Sequence, residues 1–164
     1  MIVEFAKKEE RNAKANFFMK RLGFCQAFFV DKEKIVNIKQ VIVVRTKYPN
    51  DKGGVFSLRS GKMIAQACHA SISFICKKID EKKPLNKVEK EWINGNFAKI
   101  CLQVDTEEEL VDVFNKAKTK GLEVHMITDS GKTEFHGIPT KTCLAIGPDY
   151  ADKIDEITGS LKLY

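Results

Sequence analysis

The run Val41-Ile42-Val43-Val44 constrains this chain more than any other stretch. Four β-branched residues in succession favour an extended backbone, and the run is too short for a helix. Successive side chains on a strand point to opposite faces, so a strand that is apolar at every position must be covered on both sides. The chain therefore needs a sheet with this strand near its centre and helices on each face.

The sequence after this run supplies such helices. Pro49-Asn50-Asp51-Lys52-Gly53-Gly54 is a polar loop of turn formers. Ser60 is placed to cap a helix running to about Ile79, with an apolar face of Ile64, Ala67, Cys68, Ser71 and Ile75. A short helix ends near Trp92 and Asn94-Gly95, and a strand is expected from Phe97 to Val104. Thr106 and Glu109 have capping-box spacing, Leu110, Val113, Phe114 and Ala117 follow at helical spacing, and Gly121 is a natural stop. Strands at Leu122 to Ile127 and Thr142 to Ile146 flank a loop over 128–141, and a last short helix starts near Tyr150. Strands alternating with helices indicate a three-layer α/β/α sandwich, whose ligands bind beyond the carboxyl ends of the strands.

At 164 residues the chain suits one domain with an appendage. Residues 1–38, with doublets at Phe17/Phe18 and Phe28/Phe29 and no period, read as an N-terminal extension of unknown role, and 39–164 as the domain. The apolar stretch from Leu22 to Val30 lies too far in for a signal peptide, and Glu4, Glu9 and Glu10 argue against a transit peptide. No run of about 18 apolar residues suggests a membrane span. Five cysteines without a C-x-x-C pair suggest neither a disulfide framework nor a zinc site, and a reducing compartment, the cytoplasm, is expected.

The net charge of +6 is unevenly spread. Residues 1–40 hold nine Lys/Arg against five Asp/Glu, residues 41–99 twelve against five, and residues 100–164 seven against twelve. A basic middle is compatible with a phosphate-facing surface, and Lys77, Lys78, Lys82, Lys83, Lys87 and Lys90 are candidates for it, although a solvated lysine-rich connection gives the same pattern.

Two constellations carry chemistry. Lys62 falls in the first turn of the helix after the first strand, where unpaired N–H groups and the helix dipole attract anions. At 100° per residue, Lys62, Gln66, His69 and Ser73 fall within about 60° of one another, opposite the expected apolar stripe. The second is Thr128-Asp129-Ser130-Gly131-Lys132-Thr133-Glu134, just after a strand. Asp129 is suited to orient or deprotonate a water, and Thr133 to donate a hydrogen bond, while an Asp-Ser-Gly turn chosen for its backbone angles explains the same residues. Gly54 and Gly61 are too far apart for a phosphate-binding P-loop, and Met63 follows Lys62 where that motif needs Ser or Thr, so a nucleotide-dependent phosphotransferase is disfavoured.

Together, Val43-Val44-Arg45 and Gly61-Lys62-Met63-Ile64-Ala65-Gln66-Ala67-Cys68-His69-Ala70 resemble the signature of second-type, archaeal and eukaryotic, peptidyl-tRNA hydrolases. Ile127 to Glu134 resembles that family's aspartate loop, and Thr140 to Tyr164, with Ala145-Ile146-Gly147-Pro148, matches its C-terminus. The resemblance covers about residues 39–164. It implies a mixed four-stranded sheet, hydrolysis of the ester between peptide and tRNA, frequently a dimer, and no metal or other cofactor. By the same resemblance Lys62, Asp129 and Thr133 are catalytic, with Gln66, His69, Ser71 and Thr142 contacting substrate. The loop from Thr46 to Ser60 is longer than the resemblance leads one to expect, and Lys132 and Glu134 stand where arginine and glutamine are common. The alternative is a non-catalytic tRNA- or partner-binding module on the same fold.

Overall fold

The computed structural model describes residues 37–164. The expectation for residues 1–38 therefore lies, up to residue 36, outside the described residues. β1 (Ile38–Arg45) begins almost at once and is buried at all eight positions. It sits in the middle of a sheet ordered β5 (Val124–Asp129), β6 (Thr140–Tyr150), β1, β4 (Lys99–Val104) and β7 (Lys162–Leu163). β4 (Lys99–Val104) runs parallel to β1, with Val43 opposite Leu102. On the other side β6 (Thr140–Tyr150) runs antiparallel to β1 and carries β5 (Val124–Asp129) antiparallel beyond it.

The alternation of β1 separates two cores. Val41 and Val43 meet Leu110, Val113 and Ala117 of α3 (Glu107–Thr119) and Ile154 of α4 (Ala151–Thr158). Ile42 and Val44 meet Met63 and Ala70 of α1 (Ser60–Asp80), together with Tyr48 and Phe135. α2 (Lys87–Asn94) adds Trp92, packed edge-on against Phe74 with ring centroids 6.0 Å apart. The layers are thus α/β/α, as the four-residue run requires.

Polar residues in β1 are buried only because each finds a partner. The Gln40 amide donates to the Ser71 carbonyl at 2.9 Å and accepts from the Ser71 hydroxyl at 2.8 Å. Lys39 reaches Asp155 at 2.6 Å, and Arg45 reaches Glu107 at 2.8 Å. A buried amide or charge without such partners would be strongly destabilising. The capping box at Thr106 and Glu109 is formed on both sides, and Gly121 follows α3 with φ +72°.

Four points differ from the sequence reading. The sheet has five strands rather than four, because β7 (Lys162–Leu163) adds antiparallel to the β4 edge. The long loop after β1 folds into a small hairpin, β2 (Tyr48–Pro49) and β3 (Val55–Phe56), whose turn is held by the Asn50 carboxamide accepting from the Lys52 and Gly54 N–H groups. Two-residue strands show no periodicity, so neither feature is visible in the sequence. Ser60 does not cap α1; Arg59 holds the N-cap position without a side-chain bond, and Ser60 is the first helical residue. Finally, α1 buries Met63, Gln66, Ala70 and Phe74, while Ile64 and Ile72 are 64% and 51% exposed and Cys68 is exposed. Its inward face is turned toward the polar set rather than away from it, because Gln66 has buried partners that offset its desolvation.

This phase of α1 is testable by denaturant unfolding. Leu110→Ala, at a fully buried core position, should lose about 2–5 kcal/mol. Ile64→Ala should stay within about 0.5 kcal/mol of the parent chain. A large loss at Ile64 would show that the outer face of α1 is covered.

Candidate active site

The carboxyl end of β5, the start of α1 and the start of β6 come together around Asp129. β5 ends at Asp129, whose two oxygens have different duties. Oδ1 accepts the Gly131 N–H at 2.9 Å, forming the turn. Oδ2 accepts the Lys62 ammonium at 2.6 Å and the Gln66 amide at 2.9 Å. The turn expected at this aspartate is therefore formed on Oδ1, while Oδ2 is held by an ammonium and an amide.

Gly131 is required at this corner. Its φ is +82°, and a Cβ there would lie 2.4 Å from the Ile138 carbonyl oxygen. The Gly131 carbonyl accepts from the Gly137 N–H at 2.9 Å, so the loop closes on the glycine and brings Thr133 back over the site. Lys62 then donates to the Thr133 hydroxyl oxygen at 2.8 Å. An ammonium has three N–H donors, and these two partners leave one for a bound substrate.

Gln66 is oriented from behind. The Thr142 hydroxyl, on β6 and fully buried, donates to Gln66 Oε1 at 2.8 Å, which turns the amide nitrogen toward Asp129. Lys62, Gln66, Asp129, Thr133 and Thr142 thus form one hydrogen-bonded set. Two other candidates stand apart from it. His69 is exposed, and its carbonyl accepts from the Ser73 hydroxyl at 2.7 Å. Ser71 is bonded to Gln40 of β1, so its hydroxyl braces α1 against the sheet. Glu134 is paired with Arg59 at 3.0 Å, and Lys132 is exposed.

The lysine-rich stretch is less free than its composition suggests. Lys78 is held by the buried Glu89 at 3.1 Å, Lys77 by Glu123 at 3.2 Å, Lys83 by Glu81 at 2.8 Å and Lys87 by Glu91 at 3.7 Å. Lys78 in particular is part of the fold, and Lys82 and Lys90 are the lysines of this group outside those pairs.

Burial works to raise the Asp129 carboxyl, but the Lys62 ammonium, the Gly131 N–H and the Gln66 amide together outweigh it and hold the group below its ordinary value of 3.8. Asp129 is therefore ionised at neutral pH. The stabilisation it contributes is complete above pH 3.8 and is lost as pH falls through the lowered folded-state value. Replacing Lys62 by Met leaves burial opposed by neutral donors alone, so the Asp129 carboxyl should titrate at higher pH when followed by carbon NMR. An unchanged titration would mean that Lys62 is not its principal charged partner.

Residues 38–164 match the family model described as "Peptidyl-tRNA hydrolase PTH2". A "Probable peptidyl-tRNA hydrolase 2" of Dictyostelium discoideum is 42% identical over 132 residues, which cover 80% of this chain and 57% of that protein. Proteins named "Peptidyl-tRNA hydrolase" from Methanocaldococcus jannaschii and Nanoarchaeum equitans are each 39% identical, over 77% of this chain and 99% of their own length. The chain belongs to the peptidyl-tRNA hydrolase PTH2 family.

Proposed function

We propose that this protein hydrolyses the ester joining a peptide, or an N-blocked amino acid, to the terminal ribose of tRNA, so that peptidyl-tRNA released from ribosomes is recycled. The observation that carries this reading is the Lys62, Asp129 and Thr133 contact set at the start of α1. It stands in a chain whose relatives bear the name of that activity.

Ester hydrolysis needs a positioned water, a partner for the tetrahedral oxyanion and a proton for the leaving ribose. Asp129, kept ionised and of low basicity, accepts a hydrogen bond from the water and orients it. The remaining Lys62 N–H faces the charge that develops on the carbonyl oxygen. As the water oxygen joins the carbonyl carbon, its proton passes to the Thr133 hydroxyl oxygen, which gives up its own proton to the ribose oxygen as the bond from the carbonyl carbon to that oxygen breaks. Gln66 contacts the substrate while holding Asp129, and Thr142, being fully buried, acts by positioning Gln66. His69, exposed further along α1, is available to the nucleic acid.

The tRNA contact is chiefly to phosphates, which suits an enzyme that accepts many tRNAs. The positive end of α1 and the exposed Lys132 are the nearest sources of charge. The described cysteines are free thiols, in keeping with a cytoplasmic setting. A homodimer belongs to the same reading, and Ile72 and Ile79 toward the far end of α1 offer apolar surface for it.

The test is release of a labelled N-acetyl-aminoacyl group from tRNA, with free aminoacyl-tRNA as control. Lys62→Ala should lower turnover by about 100-fold to 1000-fold. Near-normal turnover would remove Lys62 from the chemistry, and tRNA binding without cleavage by the intact chain would make it a binding module. The affinity for tRNA should fall with rising salt, in proportion to the phosphates contacted. Affinity independent of salt would count against phosphate contacts.

A further inference from the structure

Beside the Lys62 and Asp129 pair runs a groove that the chemistry above does not use. It encloses about 590 Å³, and its apolar walls are Tyr48, Pro49 and Phe56 of the hairpin on one side and Phe135, Ile138 and Pro139 on the other. That volume lies within the range of pockets that hold drug-sized ligands, about 300–1,000 Å³.

The groove is continuous with the site in two ways. Thr140, at its margin, is the register partner of Asp129 across β5 and β6, and residues so opposed project from the same face. Glu134, also on the margin, directly follows Thr133. A substrate whose ester lies at Asp129 is thus next to residues that line the groove.

Charge indicates which arm of the substrate enters. The lining holds two cations, Arg45 and Lys52, against three carboxylates, Asp51, Glu107 and Glu134. Glu107 already neutralises Arg45 at 2.8 Å and takes Lys141 at 2.7 Å, while Glu134 takes Arg59. With its carboxylates paired to cations, such a lining offers little uncompensated charge to a phosphate backbone, which is bound through uncompensated Lys and Arg. What it offers is apolar surface, with Ile138 64% exposed on a firm base of Tyr48 and Phe135, whose ring centroids are 5.1 Å apart. The Tyr48 hydroxyl donates to the Arg45 carbonyl at 3.0 Å, which fixes that base to β1.

We propose that this groove is the subsite for the peptide arm of the substrate, taking the apolar side chains of the residues next to the ester. The inference rests on the hydrolase reading above. The hairpin that forms one wall belongs to the long loop between β1 and α1, so that loop and the segment 134–140 share the subsite equally.

Two measurements test it separately from the parent reading. The first compares N-acetyl-trileucyl-tRNA with N-acetyl-glycyl-tRNA. The intact chain should prefer the trileucyl substrate in kcat/KM, and Ile138→Asp should cut that preference about tenfold. An unaltered preference would overturn the proposal. The second titrates the intact chain with N-acetyl-trileucine and follows isoleucine methyl signals. The Ile138 methyl should shift while the exposed Ile64 methyl on α1 does not. A shift of Ile138 with adenosine 5′-monophosphate in place of the peptide would assign the groove to the nucleic-acid arm, and no shift with the peptide would also overturn the proposal. Should the intact chain cleave neither ester, the hydrolase reading fails while the titration still reports on the groove.

Discussion

Burial of β1 on both faces is the constraint from which the rest of the structure follows. A strand hidden at every position cannot lie at a sheet edge, so it takes β4 on one side and β6 on the other, and its alternating side chains create the two cores. Its polar residues are admitted only with partners fixed in place: Ser71 for Gln40, Asp155 for Lys39, Glu107 for Arg45. These bonds tie α1, α4 and the start of α3 to one strand. The helix carrying Lys62 is thereby anchored at a point far from Lys62 itself.

The candidate site grows out of that anchoring. α1 lies on the Ile42 and Val44 face, and its inward side carries Gln66 to the end of β5. A carboxylate, an ammonium and an amide are held together at low exposure, and the arrangement is tolerated because every member is satisfied. Among the described residues no buried side-chain nitrogen or oxygen lacks a partner. Thr142 illustrates the economy of this packing, since one buried hydroxyl on β6 decides which way the Gln66 amide faces.

Much of this was legible in the sequence, and the reasons for the exceptions are physical. The β-branched run foretold a central strand, and the capping box at Thr106 foretold α3, because both signals are local. Lys62 and Asp129 were singled out from their places in the chain, at a helix start and a strand end. Their mutual contact joins residues 67 apart and could not be read from either. The phase of α1 is not given by apolarity, because apolar side chains are not its only buried ones. Gln66 goes in on account of its bonds, and Ile64 stays out. Likewise the pairing of Lys77, at the end of α1, cannot be read locally, because its partner Glu123 lies 46 residues along the chain.

The loop that begins at Gly131 has a consequence for how such a protein can diverge. One closed turn supplies the hydroxyl beside the ammonium and, a few residues later, the wall of Phe135, Ile138 and Pro139. Insertions there would displace both together, so that wall is a poor place to alter what the protein accepts. On the opposite wall the buried Tyr48 is fixed, but the exposed tip of the hairpin, from Asn50 to Val55, supplies no side chain to the Lys62 network and can change in length and composition. Descendants of this chain would therefore be expected to differ in the molecules they favour through the hairpin, while the glycine-closed loop keeps its length.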